Sequence, residues 1–275
     1  MNQIVTCRRC DSRYRYATSG ALDLRLQQPK KYQIEFTLGT SLLPGIFDFS
    51  PLPRNTTPQV DFSGFEAPSH LSEEHMSYFP KAKSEQSLVL DLGCGSTIHR
   101  EVCEHAGFEY VGLDYDSAAA PILGDAHSLP FGDECFEFVL SIAVLEHIRF
   151  PFVMMKEAYR VLEPNGKFIG TVAFLEPFHG NSFYHHTHLG VYNSLHEGGF
   201  EIDYICPSDQ WSVLMAQARM GLFPKMPAFL SKLLVMPLQF AHKSWWAVGG
   251  IISNKASEEI RIRNTTGAFA FIAHK

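Results

Sequence analysis

The 275-residue chain reads as an α/β protein built on a doubly wound, mainly parallel sheet. Three observations carry that reading. Between residues 87 and 206, short apolar runs alternate with stretches of helical period, the pattern of strands joined by crossover helices. The first run, SLVLDLG, leads into a glycine turn, Asp91-Leu92-Gly93-Cys94-Gly95-Ser96. The second, EYVGLD, ends in an acid, Asp114, 21 residues after Gly93. With 45% hydrophobic and 19% charged residues, the chain has ample core material, and its length fits one large domain or one domain plus an accessory piece.

The elements follow in order. Residues 1–31 form a short β-rich, basic piece, with seven Lys/Arg against Asp11 and Asp23 in a chain of net charge −6. The acidic whole argues against nucleic-acid binding, while the basic arm leaves an RNA or acidic partner open. Cys7 and Cys10 form a CxxC pair that resembles half of a small zinc ribbon; two thiolates do not close a tetrahedral site, and no second CxxC occurs. The remaining cysteines are scattered and the N-terminus lacks a signal-peptide pattern, so a reducing cytoplasm is expected. Residues 38–68 are rich in Pro, Gly, Ser and Phe without a period, which suggests a lid or linker. Residues 69–79 suit a helix capped by Ser69.

The regular region then begins. After SLVLDLG, STIHREVCEHAG places Ile98, Val102 and Ala106 on one helical face, with Gly107 as a stop. ILGDAHSLPFGD reads as a strand and turn, and CFEFVLSIAV as a strand. FPFVMMKEAYRVLEPNG is a helix with Pro151 in its first turn, closed by a Pro164-Asn165-Gly166 turn. KFIGTVAF is a strand, HLGVYNSLHEGG a helix capped by Thr187, and FEIDYIC a strand. Residues 208–248 are apolar and broken by prolines. They suit helices packed on the domain, a greasy cap over a substrate pocket, or a contact with a membrane surface. Pro227, Lys232, Pro237, His242 and Lys243 interrupt the run, so no membrane span is expected. GAFAFIAHK is a closing strand.

The glycine turn points to a cofactor. A dinucleotide site wants G-x-G-x-x-G, and the third glycine would fall at Ile98. Asp91 ahead of the turn also sits poorly beside a pyrophosphate. A cofactor with a cationic sulfonium and an amino-acid tail suits D-x-G-x-G better. Asp114 stands where a carboxylate accepts from ribose hydroxyls. Asp125-Ala126, which ends the third strand, can meet an adenine edge.

On these residues, VLDLGCGS, YVGLDYD, GDAHSLPFGDECFEFVLSIAVLEHI and EAYRVLEPNGKF resemble the successive motifs of class I S-adenosylmethionine-dependent methyltransferases of the small-molecule and ubiquinone-biosynthesis type. The resemblance covers residues 87–205. It implies a Rossmann-like seven-stranded sheet whose last strand, GAFAFIAHK, runs antiparallel. It implies S-adenosyl-L-methionine as cofactor, with Asp91, Gly93 and Gly95 at the methionine end. Asp114 would meet the ribose and Asp125 and Ala126 the adenine, while Ser141, Ala143 and His147 lie on the motif that closes over the cofactor. The chain then divides into a partial zinc-ribbon-like segment (1–37), a lid or linker (38–80) and a methyltransferase domain (81–275) with an apolar cap inserted at 208–262.

FHGNSFYHHTHLG, residues 178–190, holds four of the 13 histidines. It follows the fifth strand, and ligands of open α/β sheets bind beyond the carboxyl ends of the strands. His186 and His188 with Glu176 or His179 do not fix a full metal shell, and methyl transfer requires no metal. His185, His186 and His188, with Tyr184, are therefore candidates for a substrate-facing base or donor; helix-capping histidines are the other reading. The expected activity is methyl transfer to a small-molecule acceptor, more readily at a hydroxyl oxygen. An RNA base methyltransferase using the basic arm and a non-catalytic binding protein stay as alternatives. The acceptor and the oligomeric state are not legible.

Overall fold

A computed structural model describes residues 4–7, 12–36, 50–178, 180–208, 211–252 and 257–275. The chain opens with β1 (Ile4–Thr6), β2 (Arg13–Tyr16) and β3 (Leu22–Asp23), followed by a short helix α1 (Glu73–Met76). The alternating region supplies β4 (Leu88–Leu92), α2 (Arg100–His105), β5 (Glu109–Asp114), β6 (Ile122–Leu123), β7 (Phe136–Ile142), a 3-10 turn at Leu145–His147, α3 (Pro151–Val161), β8 (Leu162–Ala173), α4 (His188–Gly198) and β9 (Glu201–Pro207). Then come α5 (Val213–Ala216), a π-helical turn Gln217–Leu222, α6 (Ala228–Ile252), α7 (Glu258–Thr265) and β10 (Ala268–His274).

The strands form one sheet in the order β1-β2-β3-β6-β5-β4-β7-β8-β10-β9. β6, β5, β4, β7 and β8 run parallel, and β10 lies antiparallel between β8 and β9. The described sheet therefore has ten strands rather than the seven expected. The extra three are the N-terminal meander, which docks through the parallel pairs Leu22↔Ile122 and Asp23↔Leu123. Its strands are too short to show a period, so their place in the sheet is not written locally.

Successive strand residues point to opposite faces, and the core divides accordingly. Leu90, Leu92, Val139, Phe168 and Phe271 pack with Met154, Met155, Ala158, Val191 and Leu195 of α3 and α4 on one side. Val89, Phe138, Leu140, Ile169 and Ile272 face the other side, with Val102, Cys103, Ala106, Met76 and Phe79. Leu52, Val60 and Leu71 join this second layer. The described part of the expected lid or linker, 50–80, thus covers a sheet face. Asn55 holds it to α1, its N–H donating to Ser77 Oγ at 2.9 Å and its Nδ2 to Ser77 O at 3.1 Å.

Three local expectations shift. The cap of α1 is Ser72, not Ser69, in a capping box with His75. α2 starts only at Arg100, so Ile98 precedes it and is 46% exposed, while Val102 and Ala106 are buried as expected. Pro164-Asn165-Gly166 does not precede β8 but lies inside it as a bulge. Phe136 pairs with Leu162 and Phe138 with Lys167, with Asn165 at φ 62°. The bulge is pinned by Lys275, whose O accepts from Asn165 N at 2.9 Å. The Pro151 start of α3 and the Thr187 cap of α4 stand as read.

Candidate active site

The carboxyl ends of β4, β5, β6 and β7 open onto one cavity of about 1390 Å3. Gly93, Gly95, Asp114, Asp125, Ala126, Ala143 and His147 all line it. The turn after β4 is held by Gly93 N–H and Cys94 N–H, which both donate to Leu113 O, at 2.8 and 3.1 Å. Gly93 has φ +81°, and a Cβ there would lie 2.4 Å from Val144 Cγ2. The position therefore excludes a side chain on conformation and on space. Gly95 N–H donates to Asp114 Oδ2 at 2.9 Å, so the second glycine is locked to the acid at the end of β5. Asp114 Oδ1 accepts from Asp116 N–H and Ser117 N–H at 3.2 and 3.0 Å. The carboxylate is thus oriented before any ligand arrives.

Asp125 is oriented by His127. Its Oδ1 accepts from His127 N–H at 2.9 Å and lies 2.6 Å from Nδ1. His127 Nε2 accepts from Phe150 N–H at 3.1 Å, which leaves the ring proton on Nδ1 to donate to the carboxylate. That side-chain hydrogen bond holds Asp125 below the ordinary carboxylate range, against the opposing effect of burial. The following loop is fixed by Arg160, which donates to Leu129 O, Phe131 O and Asp133 Oδ1. Ala143 adopts φ +56° and its N–H lies 3.1 Å from Thr171 O.

Asp91 and Ser141 sit behind this wall. Both are buried and neither lines the cavity. Asp91 Oδ2 accepts from Tyr110 OH at 2.6 Å and lies 3.8 Å from His99 Nδ1. Asp91 Oδ1 and His99 Nδ1 are buried with no hydrogen-bond partner. His99 Nε2 lies 3.2 Å from Ser69 O, so a neutral ring carries its proton there and turns Nδ1 into an acceptor. Of the two, only His99 lines the cavity; Asp91 keeps its unsatisfied oxygen behind the glycine turn. Cys94 in the turn is not a reactive thiolate: burial, with Asp91 and Asp114 nearby, pushes its thiol up to about 12.

The histidine loop folds back rather than reaching in. Glu146 O accepts from Phe183 N–H at 2.7 Å and from Tyr184 N–H at 3.2 Å, and Ala173 O accepts from His186 N–H at 2.9 Å. This path brings Asn181, Ser182 and Phe183 to the cavity. Tyr184, His185, His186 and His188 do not line it. Tyr184 OH donates to Arg149 O, His185 is exposed, and His188 opens α4 with its ring 5.9 Å from Phe269. His186 is buried and its Nε2 has no partner; burial depresses its pKa. His179 and Cys10 lie outside the described residues. Among the described residues no group of three His, Cys, Asp or Glu side chains is placed to hold a metal.

Several cavity residues carry no local signal. Leu26, Lys30 and Tyr32 come from the N-terminal piece, and His70 from the segment before α1. Only the pairing of β3 with β6 brings the former into place. His99 was readable as a polar residue following the glycine turn, but its direction was not.

A glycine turn follows the first strand of the parallel sheet, and oriented acids follow the second and third, all at the carboxyl ends of the strands, where ligands of open α/β sheets bind. Residues 90–170 match the family described as a methyltransferase domain. A protein of Encephalitozoon cuniculi named as a methyltransferase is 38% identical over 94 residues, 31% of this chain and 45% of that protein. The mitochondrial 2-methoxy-6-polyprenyl-1,4-benzoquinol methylase of Xenopus laevis is 30% identical over 99 residues, 36% of this chain and 32% of that one. A crystal structure of an S-adenosylmethionine-dependent methyltransferase from Mesorhizobium loti shares 15% identity at a TM-score of 0.44, over 73% of this chain and 95% of that one. The chain spans less than half the length of these curated relatives. Residues 90–170 thus form a methyltransferase domain of the S-adenosylmethionine-dependent kind, and S-adenosylmethionine is the cofactor of that domain.

Proposed function

We propose that the protein transfers a methyl group from S-adenosylmethionine to a hydroxyl oxygen of a small molecule, with His147 as the general base. The observation that carries this reading is the composition of one cavity. At about 1390 Å3 it exceeds the ~300–1,000 Å3 that a single small ligand needs. One wall is the cofactor set Gly93, Gly95, Asp114, Asp125 and Ala126, and the other presents His147, Asn181, Ser182 and Phe183. That arrangement supports two ligands side by side. The bound cofactor supplies an electrophilic methyl on a good leaving group.

The protein's part is to hold the acceptor in line and take its proton. Positioning carries much of the rate, and Asn181 and Ser182 offer hydrogen bonds for it. A hydroxyl must lose its proton as it attacks, and a cavity-wall imidazole suits that task. His147 ends the 3-10 turn that also anchors the histidine loop through Glu146 O. It therefore replaces His186 as first candidate, because His186 is buried off the cavity. The free thiols of the five described cysteines support a reducing, cytoplasmic setting.

The test is single-turnover methyl transfer to candidate acceptors, alongside calorimetric binding of the cofactor. His147→Gln should lower turnover by roughly 10²–10⁴-fold and leave cofactor affinity within about threefold. His186→Ala should change turnover much less. The reverse ranking would move the base to the histidine loop.

A further inference from the structure

Helix α6 is turned inside out. It runs 25 residues, and among them only Ser231 and Val235 are buried. Lys232, Gln239, His242 and Lys243, with Phe229 and Phe240, line a second cavity, of about 890 Å3, shared with Glu258 and Arg261 of α7. The opposite stripe carries Leu230, Leu233, Leu234, Trp245, Val248 and Ile252, and all six are exposed, Trp245 at 75% and Ile252 at 79%. A helix facing water does the reverse and puts its apolar stripe on the core. Such a contiguous apolar surface marks a contact with something other than water.

Charge and length select the contact. From Trp211 to Ser257 the sequence contains five Lys/Arg (Arg219, Lys225, Lys232, Lys243 and Lys255) and no Asp or Glu, in a chain of net charge −6. A second copy meeting this stripe would bring like charges together. An anionic surface complements them. At ~1.5 Å per residue the helix is about 37 Å long, but Lys232, Pro237 and Lys243 interrupt it, and no described helix is long and apolar enough to cross a membrane. Exposed Trp and Leu on one side, with lysines on the other side, fit a helix lying in the headgroup plane.

We propose that α6 docks the protein onto an anionic lipid surface, its apolar stripe buried at the headgroup boundary and the positive charge of segment 211–257 drawing it to that surface. The full chain is mixed with vesicles of phosphatidylcholine alone and of phosphatidylcholine with phosphatidylglycerol, and bound protein is read by flotation. Binding is expected to anionic vesicles, weaker to neutral ones, and reduced by salt. The double substitution Leu234→Glu and Trp245→Glu should reduce binding at least roughly tenfold, with cofactor affinity unchanged as proof of fold. Lys232→Gln and Lys243→Gln combined should lower it about fivefold. Absence of partition into either vesicle overturns the proposal. So does a dimer in vesicle-free solution that Leu234→Glu dissociates, without vesicle binding. Cofactor binding is read separately, so failure of the methyltransferase reading would leave this result standing.

Discussion

The cavity wall proposed to hold the cofactor and the helix α6 solve opposite problems. Along residues 114–127, polar groups are given defined partners, so that Asp114 and Asp125 are aimed before a ligand arrives. Along 228–252, most of the apolar side chains are left exposed. Preorganised polar groups cost stability unless satisfied; exposed apolar ones cost nothing structurally but select an environment. Damage to the first region should therefore fall on cofactor binding, and damage to the second should spare it.

The largest effect is expected at Gly93. A Cβ there meets Val144 and the backbone sits at φ +81°, so Gly93→Ala should weaken cofactor binding roughly 100-fold, about 3 kcal/mol by calorimetry. Unchanged binding would show that the turn is not the cofactor's seat. Asp114→Asn comes next. It keeps the shape but weakens the charge-assisted bonds to Gly95 and Ser117, for a loss of about thirtyfold, ~2 kcal/mol.

A third test reads pH. Burial pushes His75 down to about 4. As pH falls from about 6.5, the unfolded chain takes up a proton that the folded chain refuses. Stability contributed by the neutral ring is thus whole above about 6.5 and is lost as pH falls through 4. His75→Gln keeps a capping-box partner for Ser72 and should flatten that decline by up to about 3 kcal/mol in denaturant titrations at pH 7 and pH 4. Equal slopes in both proteins would remove His75 as the acid-sensitive group.

The smallest effect lies where the cap meets the domain. Trp211 Nε1 donates to Glu176 Oε1 at 2.6 Å, and Trp211→Phe should cost about 1 kcal/mol of stability. Cofactor affinity should stay unchanged. A large loss there would mean that the cap helps to shape the cofactor wall, which would erase the contrast between the two regions.

The sequence revealed most where one residue's neighbours determine its environment. Buried strands such as LVLDL and FEFVLSI are continuous apolar runs, and a glycine turn followed by spaced acids is local chemistry, so β4, β5, β7, Asp114 and Asp125 were readable. Loops have no period. FHGNSFYHHTHLG drew attention to its histidines, yet two backbone hydrogen bonds to Glu146 O turn Asn181 and Ser182 toward the cavity instead. Asp91 illustrates a related limit. Its place before the turn was legible, but its burial behind Tyr110 and His99 depends on strands meeting across the sheet. The segment 50–80 looked like linker because its buried residues, Leu52, Val60 and Leu71, are too widely spaced to form a pattern.

The docking of β3 on β6 has a consequence for the order of assembly. Residues 22–23 are made early but pair with residues 122–123, about a hundred positions later, through only two residues each. So long a closure gains little until the receiving strands exist. The N-terminal meander should therefore settle last, on a sheet already formed. Leu26, Lys30 and Tyr32 line the cavity with it, so in that order of assembly the pocket is completed last.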